Sequence, residues 1–107
     1  MNTNTIQSLN DAFRQSFLGG QVVMTQGVAQ LDPERQQSLF RTVQQHTEFT
    51  PDNDPHGEHD FGRIEAFGSV FYWKIDYYDK SLQQGSEDPS DPACTTRVLT
   101  LMRAEEY

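Results

Sequence analysis

Five consecutive residues, His56-Gly57-Glu58-His59-Asp60, carry the side chains that hold divalent metals, and Asp76 and Asp79 could complete a shell around an ion. The pattern lacks the two-imidazole helical face of His-Glu-x-x-His, because it lies in a Pro- and Gly-containing stretch. His56-x-Glu58 opens like a zinc deaminase site, but that site needs two further cysteines and Cys94 is the only one present. Asp52-x-Asp54-x-His56-Gly57 begins like a calcium loop, yet Arg63 stands where a bidentate Glu belongs. Metal binding by His56, His59 and Asp60, with Glu58 and Asp76 as neighbours, is therefore the second reading of this chain. No other cofactor is expected. Paired carboxylates such as Asp76 and Asp79 suit acid–base work in principle, but no nucleophile elbow, phosphate loop or dinucleotide fingerprint accompanies them, so no residue is assigned a catalytic role.

The charge distribution points elsewhere. The chain of 107 residues has 16 acids against 8 bases, a formal charge of −8. Residues 48 to 91 hold eleven of those acids and three of the bases, and the rest of the chain is neutral. Such a surface repels phosphate, which excludes direct nucleic-acid binding and favours a basic protein or nucleoprotein partner. The contact residues expected from this pattern are Asp52, Asp54, Glu58, Asp60, Asp76, Asp79, Glu87, Asp88 and Asp91, with Tyr72 and Tyr78 on an adjoining polar face.

The length suits one domain, residues 1 to 107. A single cysteine forbids an internal disulfide, and with no secretion signal or apolar run of membrane-spanning length the expected location is the cytoplasm.

The elements that must position these groups follow from periodicity. Ile6, Leu9, Phe13 and Phe17 recur at helical spacing, with Thr3, Asn4 or Thr5 as N-cap and Gly19-Gly20 as a stop. Val22 to Thr25 reads as a short strand. Asp32-Pro33 opens a second helix whose buried stripe is Leu39, Phe40 and Val43, and which ends around Thr47 to Phe49. Phe61 to Tyr78 reads as a hairpin around a type II′ turn at Gly68-Ser69, pairing Phe67 with Val70, Ile64 with Trp73 and Gly62 with Ile75. Its faces are then apolar and polar respectively, with Glu65–Lys74 and Arg63–Asp76 as diagonal ion pairs. Residues 80 to 95 form a long Gly-, Ser-, Asp- and Pro-rich connection, and Thr96 to Met102 a strand that also fits one helix face. The expected fold is α+β in the order α-β-α-β-β-β, with two helices on one face of a four-stranded, mainly antiparallel sheet. The hairpin's open end should bring Phe61 and Asp76 to Asp79 together, gathering both acid-rich loops.

Across Asn53-Asp54-Pro55-His56-Gly57-Glu58-His59-Asp60-Phe61-Gly62, Trp73-Lys74-Ile75-Asp76-Tyr77-Tyr78-Asp79, Gly85-Ser86-Glu87-Asp88-Pro89-Ser90-Asp91-Pro92 and Thr96 to Met102, the chain resembles an uncharacterised bacterial family frequent in alphaproteobacteria and their plasmids. No activity is attached to that family. What the resemblance implies is the company of mobile elements, whose small acidic proteins often counter host defence. The expected function is accordingly a non-enzymatic inhibitor or adaptor acting on a restriction or CRISPR complex, with DNA mimicry as one form; a structural homo-oligomer is the third reading.

Overall fold

The computed structural model describes residues 3–107. Its elements are α1 (Thr3–Ser16), β1 (Gly20–Met24), α2 (Gln26–Ala29), α3 (Pro33–Gln45), β2 (Phe61–Ala66), β3 (Ser69–Tyr78) and β4 (Thr96–Arg103), closed by a 3-10 turn, Ala104–Glu106. The four strands form one mixed sheet in the order β1-β4-β3-β2; β1 runs parallel to β4, and the other pairs are antiparallel. The α+β class and the strand at residues 96–103 agree with the periodicity. Helix α1 already includes Thr3, so none of Thr3, Asn4 and Thr5 is its N-cap. Among the described residues no helix is long and apolar enough to cross a membrane.

Alternation along the strands sends Ile64, Phe71, Trp73, Ile75, Leu99 and Leu101 to one face, where they are buried against Phe13 of α1, Val28 of α2 and Leu39 and Val43 of α3. Asp32 caps α3 through an Arg35 N–H bond, with Pro33 in the first turn, and the helix stops at Gln45, slightly earlier than its composition suggests. The opposite face carries no α-helix; Tyr107, after the C-terminal turn, packs there against Phe61 and Tyr72. This face presents Arg63, Glu65, Tyr72, Lys74, Asp76, Tyr78 and Thr100.

The hairpin differs from expectation in register. Its loop residues are Phe67 and Gly68, with φ of 55° and 74°, as a type I′ turn requires; Ala66 pairs with Ser69, Ile64 with Phe71 and Gly62 with Trp73. The turn sits one residue earlier than expected, so every partner moves by two and each residue keeps its face. The cause is Trp73. A Cβ on Gly62 would stand 2.1 Å from the indole nitrogen, so only glycine can lie opposite that ring. This steric requirement prevails over the turn preference, even though it holds Phe67 in a left-handed conformation, where the Arg35 guanidinium lies 5.2 Å from its ring centre. The expected diagonal ion pairs are accordingly absent; Arg63 meets Glu65 (3.3 Å) and Lys74 meets Asp76 (3.0 Å) along their own strands instead.

After β4 the chain is latched by Glu106, whose carboxylate accepts from Thr25 Oγ1 (2.6 Å) and from the N–H groups of Gly27 and Arg103 (2.9 and 2.8 Å). The Thr25 hydroxyl and the Arg103 N–H hold its pKa below the usual glutamate range.

Two outcomes follow. Gly62→Ala should lower unfolding stability by about 1–3 kcal/mol, from displacement of Trp73, in chemical denaturation. Glu106→Ala should melt earlier than wild type at neutral pH. The folded carboxyl is depressed, so its contribution is present above the ordinary glutamate range and fades as pH falls through the folded value; paired melting curves should converge in acid.

Candidate functional site

Helix α1 lays a polar residue in its buried stripe. Asn10 is fully buried, and every hydrogen-bonding atom of its amide is used. Its nitrogen donates to the Glu58 carbonyl (2.9 Å) and to Tyr77 Oη (2.8 Å), while its oxygen accepts from Arg97 Nε (2.6 Å). Arg97 is itself buried, donates onward to the Pro89 carbonyl and lies 5.2 Å from the centre of the Tyr77 ring. Tyr77 donates its own hydroxyl hydrogen bond to Glu58 Oε1 (2.7 Å). Burial and that carboxylate push the phenol pKa far upward, so it stays a neutral donor. One side chain from α1 and one from β4 thus fasten both acid-rich loops, residues 46–60 through Glu58 and residues 79–95 through Pro89.

A second network lies alongside. Arg14, 2% exposed, donates to Asp11 (2.8 Å) and to the His46 carbonyl (3.1 Å), and its guanidinium sits over the Phe49 and Trp73 rings at 5.2 and 5.6 Å. His59 stacks on Phe49 with ring centres 3.8 Å apart and meets Asp11 through Nδ1 at 2.8 Å. Its Nε2 faces Asp54 at 3.7 Å. Asp54 is buried and accepts from the N–H groups of Glu58 and His59 (3.1 and 3.2 Å). Desolvation lowers the His46 pKa, so acid protonates this ring more readily once the chain is unfolded.

The carboxylates proposed for a contact surface divide into groups. Asp54 and Glu58 face inward as described. Asp60 is half-buried, its carbonyl accepting from the Ile75 N–H (2.8 Å), and desolvation, then Glu58, raises its carboxyl pKa. Asp79 accepts from Ser81 Oγ and the Gln83 N–H, which lowers its pKa; Asp88 accepts from Ser90 and Asp91 from the Ala93 N–H. Among the described residues Asp52 and Glu87 have no polar partner, and both are exposed. Asp76, Tyr72 and Tyr78 stand on the sheet face without an α-helix, where Tyr72 packs with Phe61 and Tyr107. Lys74, Asp76, Tyr78, Thr100 and Tyr107 line a shallow groove of about 370 Å³ there.

The two loops do meet, by a different route from the one expected. Phe61 lies level with Lys74, not with Asp76, so the ribbon alone does not join them; Asn10, Tyr77 and Arg97 do. For the metal reading, one His59 ring nitrogen is engaged by Asp11, and His56 is exposed. Among the described residues, no group of three or more His, Cys, Asp or Glu side chains converges as a metal shell would.

Sequence reasoning missed Asn10, Asp11, Arg14 and Arg97. The signal for Asn10 was present: it lies four residues after Ile6 and three before Phe13, on the apolar stripe. Arg97 likewise alternates with Leu99 and Leu101 on the buried side of β4.

The fold and its buried polar centre define a two-layer α+β domain that presents loops at one end and, on one sheet face, no α-helix but the C-terminal residues against Tyr72. The chain belongs to a family of proteins of unknown function (DUF3768), whose pattern matches residues 24–106. No curated protein and no solved structure matches it.

Asn10→Ala would leave Arg97, the Glu58 carbonyl and the Tyr77 hydroxyl without their buried partner. Its expected cost is about 3 kcal/mol in unfolding stability, with faster limited proteolysis in both loops than elsewhere.

Proposed function

We propose that this protein acts by binding another protein, with its acid-rich loop end seated on the basic groove of a nucleic-acid-binding complex. It works there as an inhibitor or adaptor, of the anti-restriction or anti-CRISPR kind carried by mobile elements. Carboxylates take the places of phosphates in that groove. The observation that carries this reading is the sorting of charge by burial. Two of the eight bases, Arg14 and Arg97, are buried, but only one of the sixteen acids, Asp54. Solvent therefore meets six bases and fifteen acids, a stronger imbalance than the sequence total. Arg63 and Lys74 are further occupied by Glu65 and Asp76. Fixed loops matter here, because a pre-ordered acidic surface loses little entropy on docking and is steered to a basic groove over long range.

Capture of the protein's partner from a defence-competent host, identified by mass spectrometry, tests this. Replacing the exposed Asp52, Glu87 and Asp91 by Asn, Gln and Asn should weaken capture by roughly tenfold or more and flatten its dependence on salt. These positions spare the inward-facing Asp54 and Glu58, so the variant should keep the wild-type melting temperature. Undiminished capture at the same salt sensitivity would remove the docking reading.

A further inference from the structure

The two edges of the sheet are built differently. β2 carries Arg63 and Glu65, whose side chains are 51% and 72% exposed, and charges of this kind deter a second strand from pairing. β1, Gly-Gln-Val-Val-Met, has neither charge nor proline, and residues 15 to 31 around it contain no charged side chain at all. Three large apolar side chains are exposed there: Leu18 at 76%, Val23 at 42% and Met24 at 40%.

The backbone of β1 is also available. The Thr25 N–H donates to the Leu101 carbonyl, so by alternation Val23 faces β4, and the N–H and C=O groups of Val22 and Met24 face outward. Those same two residues point their side chains to the helix-covered side, into a groove of about 500 Å³ that Phe17 and Phe40 also line. Arg41, the only charged residue lining it among the described residues, is a base.

We propose that β1 pairs antiparallel with β1 of a second copy, across a two-fold axis near Val22, joining two four-stranded sheets into one of eight strands. Val22 then faces its own counterpart and Gly20 faces Met24, so each outward N–H finds a carbonyl, and the two apolar grooves close against each other. A second copy fits as occupant because it offers this edge its own complement: an uncharged strand with the same outward backbone groups and the same apolar side chains, Val22 and Met24, lining the groove. Two molecules of formal charge −8 repel wherever acids face acids; β1 itself carries no charge, and the acid beside it, Glu106, is engaged by Thr25 and Gly27 of its own chain. The β1 edge lies on the far side of the sheet from β2 and runs from Gly20, level with Arg97 near the end where the 79–95 loop enters Thr96, to Met24, level with Leu101 at the other end; in the antiparallel pair each Gly20 end meets the partner's Met24 end, so the two acidic ends stay apart.

Light scattering on a size-exclusion column, over a dilution series from micromolar to millimolar, reads the result. The wild type should show twice the 12.3 kDa chain mass, with dissociation on dilution, and added salt should tighten the dimer by screening the acids. That salt response is opposite in sign to the one expected for docking on a basic partner, so the two proposals fail separately. Met24→Pro removes an outward N–H and no internal ladder bond, and Val23→Lys places a charge on the exposed edge; each should give a monomer with the wild-type circular dichroism spectrum. Arg63→Ala, on the other edge, should remain dimeric. A wild type monomeric throughout the series overturns self-pairing and leaves the edge to a strand from another protein. A dimer that survives both β1 substitutions, or that depends on Arg63, overturns it equally.

Discussion

The architecture depends on a single buried amide. Asn10 joins a helix, the central strand β4 through Arg97, and strand β3 through Tyr77, and of these Asn10 and Arg97 are themselves buried. A buried donor or acceptor without a partner costs more than a formed bond contributes, so the three elements share one arrangement that satisfies all of them. The long connection after β3 inherits its order from that arrangement. It has little apolar surface of its own, but the Pro89 carbonyl is held by Arg97, and the Asp88 carbonyl by the Thr95 hydroxyl at 2.8 Å.

Arg14 and Arg97 serve a related purpose at two places in the core. Each guanidinium covers an aromatic face and donates to a backbone carbonyl, a combination that suits the planar, weakly hydrated guanidinium better than an ammonium. By withdrawing into the interior they strip the surface of positive charge. Stability and surface potential are therefore linked through the same residues, and the acidity that solvent meets is partly a product of how the core is held together.

The sequence made the element types legible because Ile6, Phe13 and Phe17 keep helical spacing, and Phe71, Trp73 and Ile75 keep strand spacing. Asp32-Pro33 marked the start of α3 for reasons local to the chain. The register of the hairpin was not legible from its turn, since the deciding contact, Gly62 against the Trp73 indole, crosses between strands and is steric, not conformational. The acid-rich loops were recognised as partners, but the means of joining them was not, because a buried Asn and a buried Arg look like ordinary polar residues until their neighbours are known. Composition counted Arg14 and Arg97 as surface charge; burial reverses that.

The order β1-β4-β3-β2 has a kinetic consequence. The seam at one side of the sheet joins residues 20–24 to residues 97–101, the most distant strands along the chain, whereas the hairpin at its other side is local. Closing so long a loop loses chain entropy before any contact compensates for it, so the ribbon around Gly68 can form early while the amino-terminal strand must arrive late. Until it does, β4 has one unsatisfied flank, and the most exposed moment in the life of this chain is the interval between making its hairpin and receiving its first strand.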